Sequence, residues 1–384
     1  MHQPRSIVKF VAAGILAISV FPVLTFAQHY TQTNLVSDIA GLATNRDANL
    51  VNPWGLARSP GSPWWVGNNG TGTSTLYAGT GDAFPLASPL VVTIPTTKNA
   101  PAGTTGTPTG VVFNGSTDFA VAPGKPAVFI FVTEDGTVSG WNPTVDATHA
   151  IRQVDRADKA VYKGATIGEF GGKRYLYVAN FHSGQIEVYD STFTRVHSFD
   201  EAFSDDDHDR DRGRDHDADE RHNRRGFAPF NVQNVGGNIL VAYAEQDSAR
   251  KDEVAGAGRG FVNIFSSGGR FLAQLQNGDF LNAPWGIALA PGDFGEFSHS
   301  LLIGNFGSGK IAAFNPVTFK FRGFMKNPDD SPVVIAGLWA LVFGNSANAG
   351  PYNTLFFTAG IQDEAHGLFG TLTAVAAEQD GDEL

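Results

Sequence analysis

The chain has 384 residues, no cysteine, and 38 acidic against 27 basic residues, which gives a formal net charge of −11 at neutral pH. This acidic balance argues against a nucleic-acid or anionic-membrane partner, because the interaction with phosphate would be repulsive. Without disulfides, a chain of this length must be held together by its hydrophobic core.

Residues 1–27 are predicted to be a signal peptide. Arg5 and Lys9 precede the apolar stretch Phe10–Phe26, and small residues up to Ala27 provide a cleavage site. An uncleaved anchor is the alternative, but the apolar stretch is short for one and no later segment reaches membrane-spanning length. The sequence therefore predicts a secreted or periplasmic protein with no membrane span after signal cleavage. Residues 379–384 are expected to form a C-terminal tail.

Similar segments recur along the rest of the chain. The clearest are NPWGLA, from Asn52, and APWGIA, from Ala283. Four weaker copies complete the series, and the copies recur about every 55 residues except across one longer interval, a period typical of repeat architectures. The residues at the centre of the six copies are Gly55, Gly110, Gly164, Asn231, Gly286 and Ala340.

Each copy continues into a second apolar run, a turn rich in Gly, Ser and Asp, and a third run. Alternation, β-branched and aromatic residues and glycine punctuation indicate strands, and no sustained helical periodicity is present. Six small antiparallel sheets in series predict an all-β fold, a six-bladed β-propeller forming one domain over residues 28–378. The strand Gln32–Ile39 is expected to close the last blade, which removes an open edge. A β-sandwich pair or a parallel β-helix fits the period poorly.

The repeats resemble the six-bladed propellers of the NHL and lactonase-like group. The pattern NPWGLA…WWVGNNGTG…APWGIALAPG is also similar to that of a family of uncharacterised exported bacterial propellers. This resemblance implies the fold and a secretory address. It implies no established activity, and no catalytic residues are carried over.

Polar residues follow or end five of the six second runs, and equivalent positions of a propeller form a ring around its axis. Calcium prefers several oxygen ligands, including carboxylates and amide carbonyls, and calcium-dependent propeller lactonases use such a set. The alternative is that Asn and small residues occur there because they suit turns. The predicted metal ligands are Asn68, Glu134, Asn180, Glu245 and Asn305, with Ala359 at the sixth position.

Two histidines lie close to this predicted ring. His182 follows Asn180 by two residues, and His366 follows Asp363 and Glu364 in the last repeat. A histidine beside a bound metal could serve as a general base. The alternative is that both are ordinary loop histidines.

Two other features have structural interpretations. Ser204–Arg225 contains no large apolar residue, which predicts a charged flexible insertion rather than a metal site. Trp54, Trp285 and Trp339 occupy matching repeat positions, which favours packing between blades over a sugar-binding platform.

Two classes of function remain open. The first is a non-catalytic, monomeric scaffold that binds a protein, a glycan or a small molecule on one propeller face. The alternative is a calcium-dependent lactonase or esterase-like hydrolase with its site at the axis, where His182 or His366 moves a proton. The scaffold is favoured because no nucleophile or zinc motif is present and fold alone constrains activity weakly.

Overall fold

The computed structural model of the protein describes residues 29–199 and 226–375. These residues form β-strands and two short 3₁₀ helices, Ala157–Lys159 and Gly295–Phe297. The predicted signal peptide, the charged insertion and the C-terminal tail all lie outside the described residues. Within the described part, no helix is long and apolar enough to cross a membrane. The prediction of an all-β fold is confirmed.

The N-terminal strands and the first three blades follow in chain order. The N-terminal strands are β1 (His29–Ser37) and β2 (Asn45–Arg46). The first blade contains β3 (Pro53–Ala57), β4 (Trp64–Asn68), β5 (Thr73–Tyr77) and β6 (Val91–Thr93). The second contains β7 (Pro108–Phe113), a side hairpin of β8 (Ala120–Ala122) and β9 (Lys125–Pro126), then β10 (Phe129–Thr133), β11 (Thr137–Trp141) and β12 (Ile151–Asp155). The third contains β13 (Tyr162–Phe170), β14 (Lys173–Asn180), β15 (Gln185–Tyr189) and β16 (Arg195–Phe199).

The remaining three blades repeat this arrangement. The fourth contains β17 (Phe227–Val235), β18 (Asn238–Glu245), β19 (Gly260–Ser266) and β20 (Phe271–Gln274). The fifth contains β21 (Pro284–Leu289), β22 (Leu301–Asn305), β23 (Ile311–Phe314) and β24 (Phe321–Phe324). The sixth contains β25 (Leu338–Phe343), β26 (Leu355–Ile361) and β27 (His366–Val375), and it is completed by β1 and β2.

The first strands of the six blades form a closed inner ring. Each packs against the first strand of the next blade, in the order β3, β7, β13, β17, β21 and β25, and β25 packs against β3 again. The later strands of each blade follow outward in antiparallel order, except that the short β2 pairs in parallel with β1 at the edge of the sixth blade. This circular arrangement is the predicted six-bladed propeller.

The closing strand lies where the sequence predicts it. β1 pairs antiparallel with β27, from His29 opposite Val375 to Ser37 opposite Leu368. It begins three residues before the predicted Gln32 and stops before Asp38, whose carboxylate accepts a hydrogen bond from the Gly367 N–H at 2.8 Å. The last blade is therefore assembled from both ends of the described chain, and no strand edge stays open between them.

The hydrophobic core lies between the blades. All five residues of β10 are buried, and so are all five of β4. Neighbouring blades cover both faces of each sheet, so that the strands read as continuous apolar runs more than as strict alternation. Trp65 of the first blade, for example, stacks on Phe129 of the second with ring centroids 4.3 Å apart.

Candidate functional site at the propeller axis

Strand pairing shows which positions of the blades are equivalent. We take as reference the residue two positions before the central residue of each repeat. In each blade, this reference residue pairs with one residue of the second strand. Glu134 comes one residue after this position and Glu245 comes two residues after it, so the predicted ring mixed three different positions. The residues that the pairing makes equivalent are Asn68, Thr133, Asn180, Tyr243, Asn305 and Ala359.

The three predicted asparagines are buried and bonded within their own blades. Asn180 donates to Glu187 Oε1 at 3.1 Å, and Asn68 donates to Thr75 Oγ1 at 3.0 Å. Asn305 accepts from a loop N–H at 2.8 Å and donates to the Lys310 carbonyl at 3.1 Å. These contacts fasten strand ends and turns, which is the structural interpretation of the pattern.

The side chains that reach the axis come from two neighbouring repeat positions. The first set precedes the central residue of each repeat, and every member is at most 4% exposed. We call it the axial collar: Trp54, Thr109, Lys163, Phe230, Trp285 and Trp339. The second set directly follows the equivalent second-strand positions. We call it the upper ring: Asn69, Glu134, Phe181, Ala244, Phe306 and Gly360.

Aromatic contacts across the ring place the collar on the axis. Trp54 and Trp339 stack with centroids 3.5 Å apart, and Trp54 also meets Phe230, from the opposite blade, at 6.3 Å. Only side chains on the axis can touch across three blades. Phe306 of the upper ring stacks on Trp339 at 4.1 Å. The tryptophans are therefore packed in the core and do not form an exposed platform.

Lys163 is the one charged member of the collar. Its Nζ lies 2.6 Å from Glu134 Oε1 and 3.4 Å from Asp252 Oδ1, and its side chain is only 1% exposed. Burial opposes its charge, but Glu134 and Glu253 outweigh burial and raise the pKa of Lys163. Burial likewise acts against the Glu134 carboxylate, but Lys163 and the Asn69 amide, 2.9 Å away, hold its pKa below the usual value. Lys163 and Glu134 are therefore a buried ion pair.

Two further carboxyl groups lie near this pair without a comparable cation. Burial raises the pKa of Glu253 to about 7, and it also raises the pKa of Glu364. Glu364 accepts a hydrogen bond from Asn52 Nδ2 at 2.6 Å, and Asn52 Oδ1 accepts from Trp339 Nε1 at 3.0 Å. We call Glu134, Asp252, Glu253 and Glu364, with Lys163 at their base, the axial mouth.

The turn that carries Glu364 has an unfavourable backbone. Gln362, Asp363 and Glu364 have φ of 54°, 54° and 64°, in the left-handed region that non-glycine residues avoid. Each such residue costs of the order of 1 kcal/mol. Two hydrogen bonds hold the turn at the mouth: Asn52 Nδ2 donates to the Glu364 carboxylate, and the Asn52 N–H donates to the His366 carbonyl.

The mouth predicts an unusual pH dependence of stability. A carboxyl group whose pKa is raised from 4.5 to about 7 binds its proton more tightly in the folded state. Its ionisation therefore destabilises the fold above pH 7, and the penalty disappears as the pH falls towards 4.5. We expect Glu253→Gln to be more stable than wild type at pH 8 by about 1–3 kcal/mol, and the difference to shrink towards pH 5.

Urea unfolding of both proteins at several pH values measures this difference. Glu169→Gln is the control, because Glu169 is exposed at the other end of its blade. A Glu253→Gln variant that is less stable than wild type at pH 8 would contradict the assignment.

The other predicted site residues lie apart from the mouth or face away from it. Glu245 Oε2 is 3.5 Å from Arg259 Nε, and both side chains are more than a third exposed. His366 Nδ1 lies 2.6 Å from Asp38 Oδ2, against the end of the outer strand β1. His182 lies in the turn after β14, in the third blade, opposite the sixth blade that carries His366. Among the described residues, no three His, Cys, Asp or Glu side chains are grouped closely enough to hold a metal ion.

A cavity of about 460 Å³ lies elsewhere, beside the start of β14 at the end remote from Asn180. It is lined by charges of both signs, including Asp118, Lys173 and Arg174, and the Arg174–Asp118 pair at 3.2 Å closes part of its wall. Its partly exposed charges already neutralise one another. We therefore assign the candidate site to the axial mouth.

Comparison with known proteins finds relatives in Acanthamoeba polyphaga mimivirus. No family model matches the chain. It is 32% identical over 346 residues to the uncharacterized protein R648 of Acanthamoeba polyphaga mimivirus, which covers 88% of this chain and 78% of the relative. The chain belongs to the R648 family. The uncharacterized protein L690 of the same virus is 28% identical over 345 residues, with 88% and 84% covered.

One solved structure is similar in fold to this chain. It is a structural genomics protein of unknown function from Bacteroides thetaiotaomicron, with a TM-score of 0.51, 10% identity, and 89% of this chain and 76% of that chain covered. At that identity the likeness concerns the fold alone. The curated relatives are viral, so they do not support the predicted bacterial origin. They do not bear on export, which stays a prediction.

Proposed function

We propose that the protein is a non-catalytic binding scaffold whose axial mouth recognises a positively charged group on its ligand. The observation that carries this proposal is the charge imbalance of the mouth. The mouth holds four carboxyl groups and one buried ammonium, and among the described residues that ammonium bonds only to Glu134 and Asp252. Glu253 and Glu364 have raised pKa values, so their negative charges lack sufficient compensation.

A cation that enters the mouth would stabilise these ionised carboxylates. Burial makes their charged forms unfavourable, and an opposite charge within a few ångströms offsets that cost. The turns that present them are anchored to the inner ring, as the Asn52 contacts show for Glu364. A scaffold of this kind therefore offers its ligand a rigid site at which a positive charge is stabilised. A protein or a small molecule that carries an ammonium or guanidinium group fits this chemistry, whereas a neutral glycan does not use it.

Calcium-dependent hydrolysis is the second candidate, because the carboxylates of Glu134 and Asp252 approach the same point at the mouth and calcium prefers carboxylate oxygens. In that case the ion would polarise an ester or lactone carbonyl, and His182 or His366 would move a proton. Two features favour the scaffold instead: Lys163 already neutralises Glu134, and the two histidines lie on opposite blades. The export predicted from residues 1–27 is retained as a proposal on the sequence pattern alone.

Thermal unfolding with added ligands tests both candidates. The probes are N-acetylated tri-lysine amide and calcium chloride, each at fixed ionic strength, because screening alone changes surface electrostatics. We expect tri-lysine to raise the melting temperature of wild type, since a ligand that binds only the folded state stabilises it. We expect no such rise in Glu253→Gln/Glu364→Gln.

The matched control is Glu169→Gln/Glu296→Gln, which removes the same charge from exposed sites on the opposite face. It should respond like wild type. An equal response of both double variants would contradict recognition at the mouth. A calcium shift that Glu134→Gln/Glu245→Gln abolishes, together with hydrolysis of a lactone, would instead establish the second candidate.

A further inference from the structure

Lys163 differs from its counterparts in the repeat. Four of the six collar positions carry Trp or Phe, yet the third blade places an ammonium on the axis. The ammonium is enclosed on one side by aromatic rings, whose centroids lie 4.9 Å (Trp54), 5.7 Å (Phe181) and 5.9 Å (Phe230) from Nζ. On the other side it meets the carboxylates of Glu134 and Asp252.

These surroundings are those of a binding site for an ammonium ion. Aromatic faces within about 6 Å attract a cation, and the attraction is strongest where water is excluded. A carboxylate at 2.6 Å adds a charge-assisted hydrogen bond. Trp54, Phe230, Glu134 and Asp252 come from other blades than Lys163, and Phe181 alone shares its blade, so most of the enclosure is built by other parts of the chain.

We infer that this enclosure is an ammonium-binding site that the chain fills with its own Lys163. We call it the ammonium cage: Trp54, Phe181, Phe230, Glu134 and Asp252. The inference goes beyond the proposed recognition at the mouth and does not depend on any external ligand there. It implies that a soluble cation reaches Glu134 only when the Lys163 side chain is absent. In the wild-type protein, external cations are left with Glu253 and Glu364.

Chemical rescue of Lys163→Ala tests the cage directly. Alanine keeps Cβ, so n-propylammonium supplies the three carbons and the nitrogen that the substitution removes. We expect propylammonium chloride to raise the melting temperature of Lys163→Ala saturably, with half-saturation in the millimolar range that so small a ligand allows. Wild type, whose cage is filled, should not respond. In Lys163→Ala/Glu134→Gln, we expect the propylammonium concentration at half-saturation to rise at least tenfold.

Two controls separate the cage from general effects. 1-Propanol has nearly the same shape without the charge, and sodium chloride at equal ionic strength accounts for screening. Lys310→Ala is the matched variant, because Lys310 Nζ also lies over a ring, that of Phe324 at 5.2 Å, but the described residues provide it with no carboxylate within 4 Å. It should show no propylammonium response.

The inference is overturned if propanol and propylammonium act equally, which would indicate simple cavity filling, or if folded Lys163→Ala ignores the amine. Should Lys163→Ala fail to fold unaided, refolding in propylammonium or in propanol becomes the readout. Recovery in propylammonium alone supports the cage, and no recovery in either overturns it.

Discussion

Lys163→Met is expected to lower the free energy of unfolding by about 3–5 kcal/mol, the usual consequence of removing one partner of a buried ion pair. Methionine retains much of the volume of the lysine side chain. The loss of stability would therefore reflect the missing charge more than a change in packing. Glu134, whose side chain is only 13% exposed, would lose its cation and keep the Asn69 amide as a hydrogen-bond donor. Urea unfolding at neutral pH measures the loss.

The double variant Lys163→Met/Glu134→Gln distinguishes this cause from others. If the orphaned carboxylate is responsible, the second substitution should restore a large part of the lost stability, a coupling that a double-mutant cycle quantifies. Lys173→Met, at an exposed lysine on the opposite face, should change stability little. A Lys163→Met protein within 1 kcal/mol of wild type would rule out an important ion pair on the axis.

Glu187→Gln is expected to produce a second large loss, also of about 3–5 kcal/mol. Glu187 is only 1% exposed inside the third blade, and an uncharged amide cannot accept from all of its present donors. It would also leave two arginines without their carboxylate. The groups bonded to the Glu187 carboxylate are Arg156, Arg195, Tyr162, Tyr189 and Asn180, at 2.7–3.4 Å.

Thermal and urea unfolding check this prediction, with Glu169→Gln as the control on the same blade. Tyr162 belongs to the same network. Burial, and then the neighbouring Tyr189 and Glu187 groups, raise the pKa of Tyr162. A Glu187→Gln protein that unfolds like the control would show that the network contributes nothing to stability.

Much of the fold was predictable because every blade of a propeller packs against its neighbours in the same way. The Trp-Gly segments recur since each first strand meets the same neighbours, and the placement of the closing strand follows from the open edge of the last blade. The boundary of that strand differed because Asp38 bonds to Gly367 and His366 in the sixth blade, a contact between distant positions that local sequence does not reveal.

The candidate site was only partly predictable. Glu134 was predicted as a site residue, but it was aligned with residues one position away from its structural equivalents. The inner strands carry irregularities that shift the pairing and hide this offset. Asp252, Glu253 and Glu364 reach the mouth on turns of different length, so no repeat spacing relates them. Lys163 had a usable signal: it is the only charged residue in a column that otherwise holds Trp, Phe and Thr.

Calorimetric titration of wild type with N-acetylated tri-lysine amide, at pH 8 and at pH 5.5, tests the central claim most directly. The lysine side chains of the peptide stay charged at both values, whereas Glu253, whose pKa is about 7, gains a proton between them. Recognition at the axial mouth predicts a dissociation constant at least tenfold weaker at pH 5.5, and a pH difference that largely disappears in Glu253→Gln/Glu364→Gln. Equal affinity at the two pH values, or an unchanged pH difference in that variant, would contradict it.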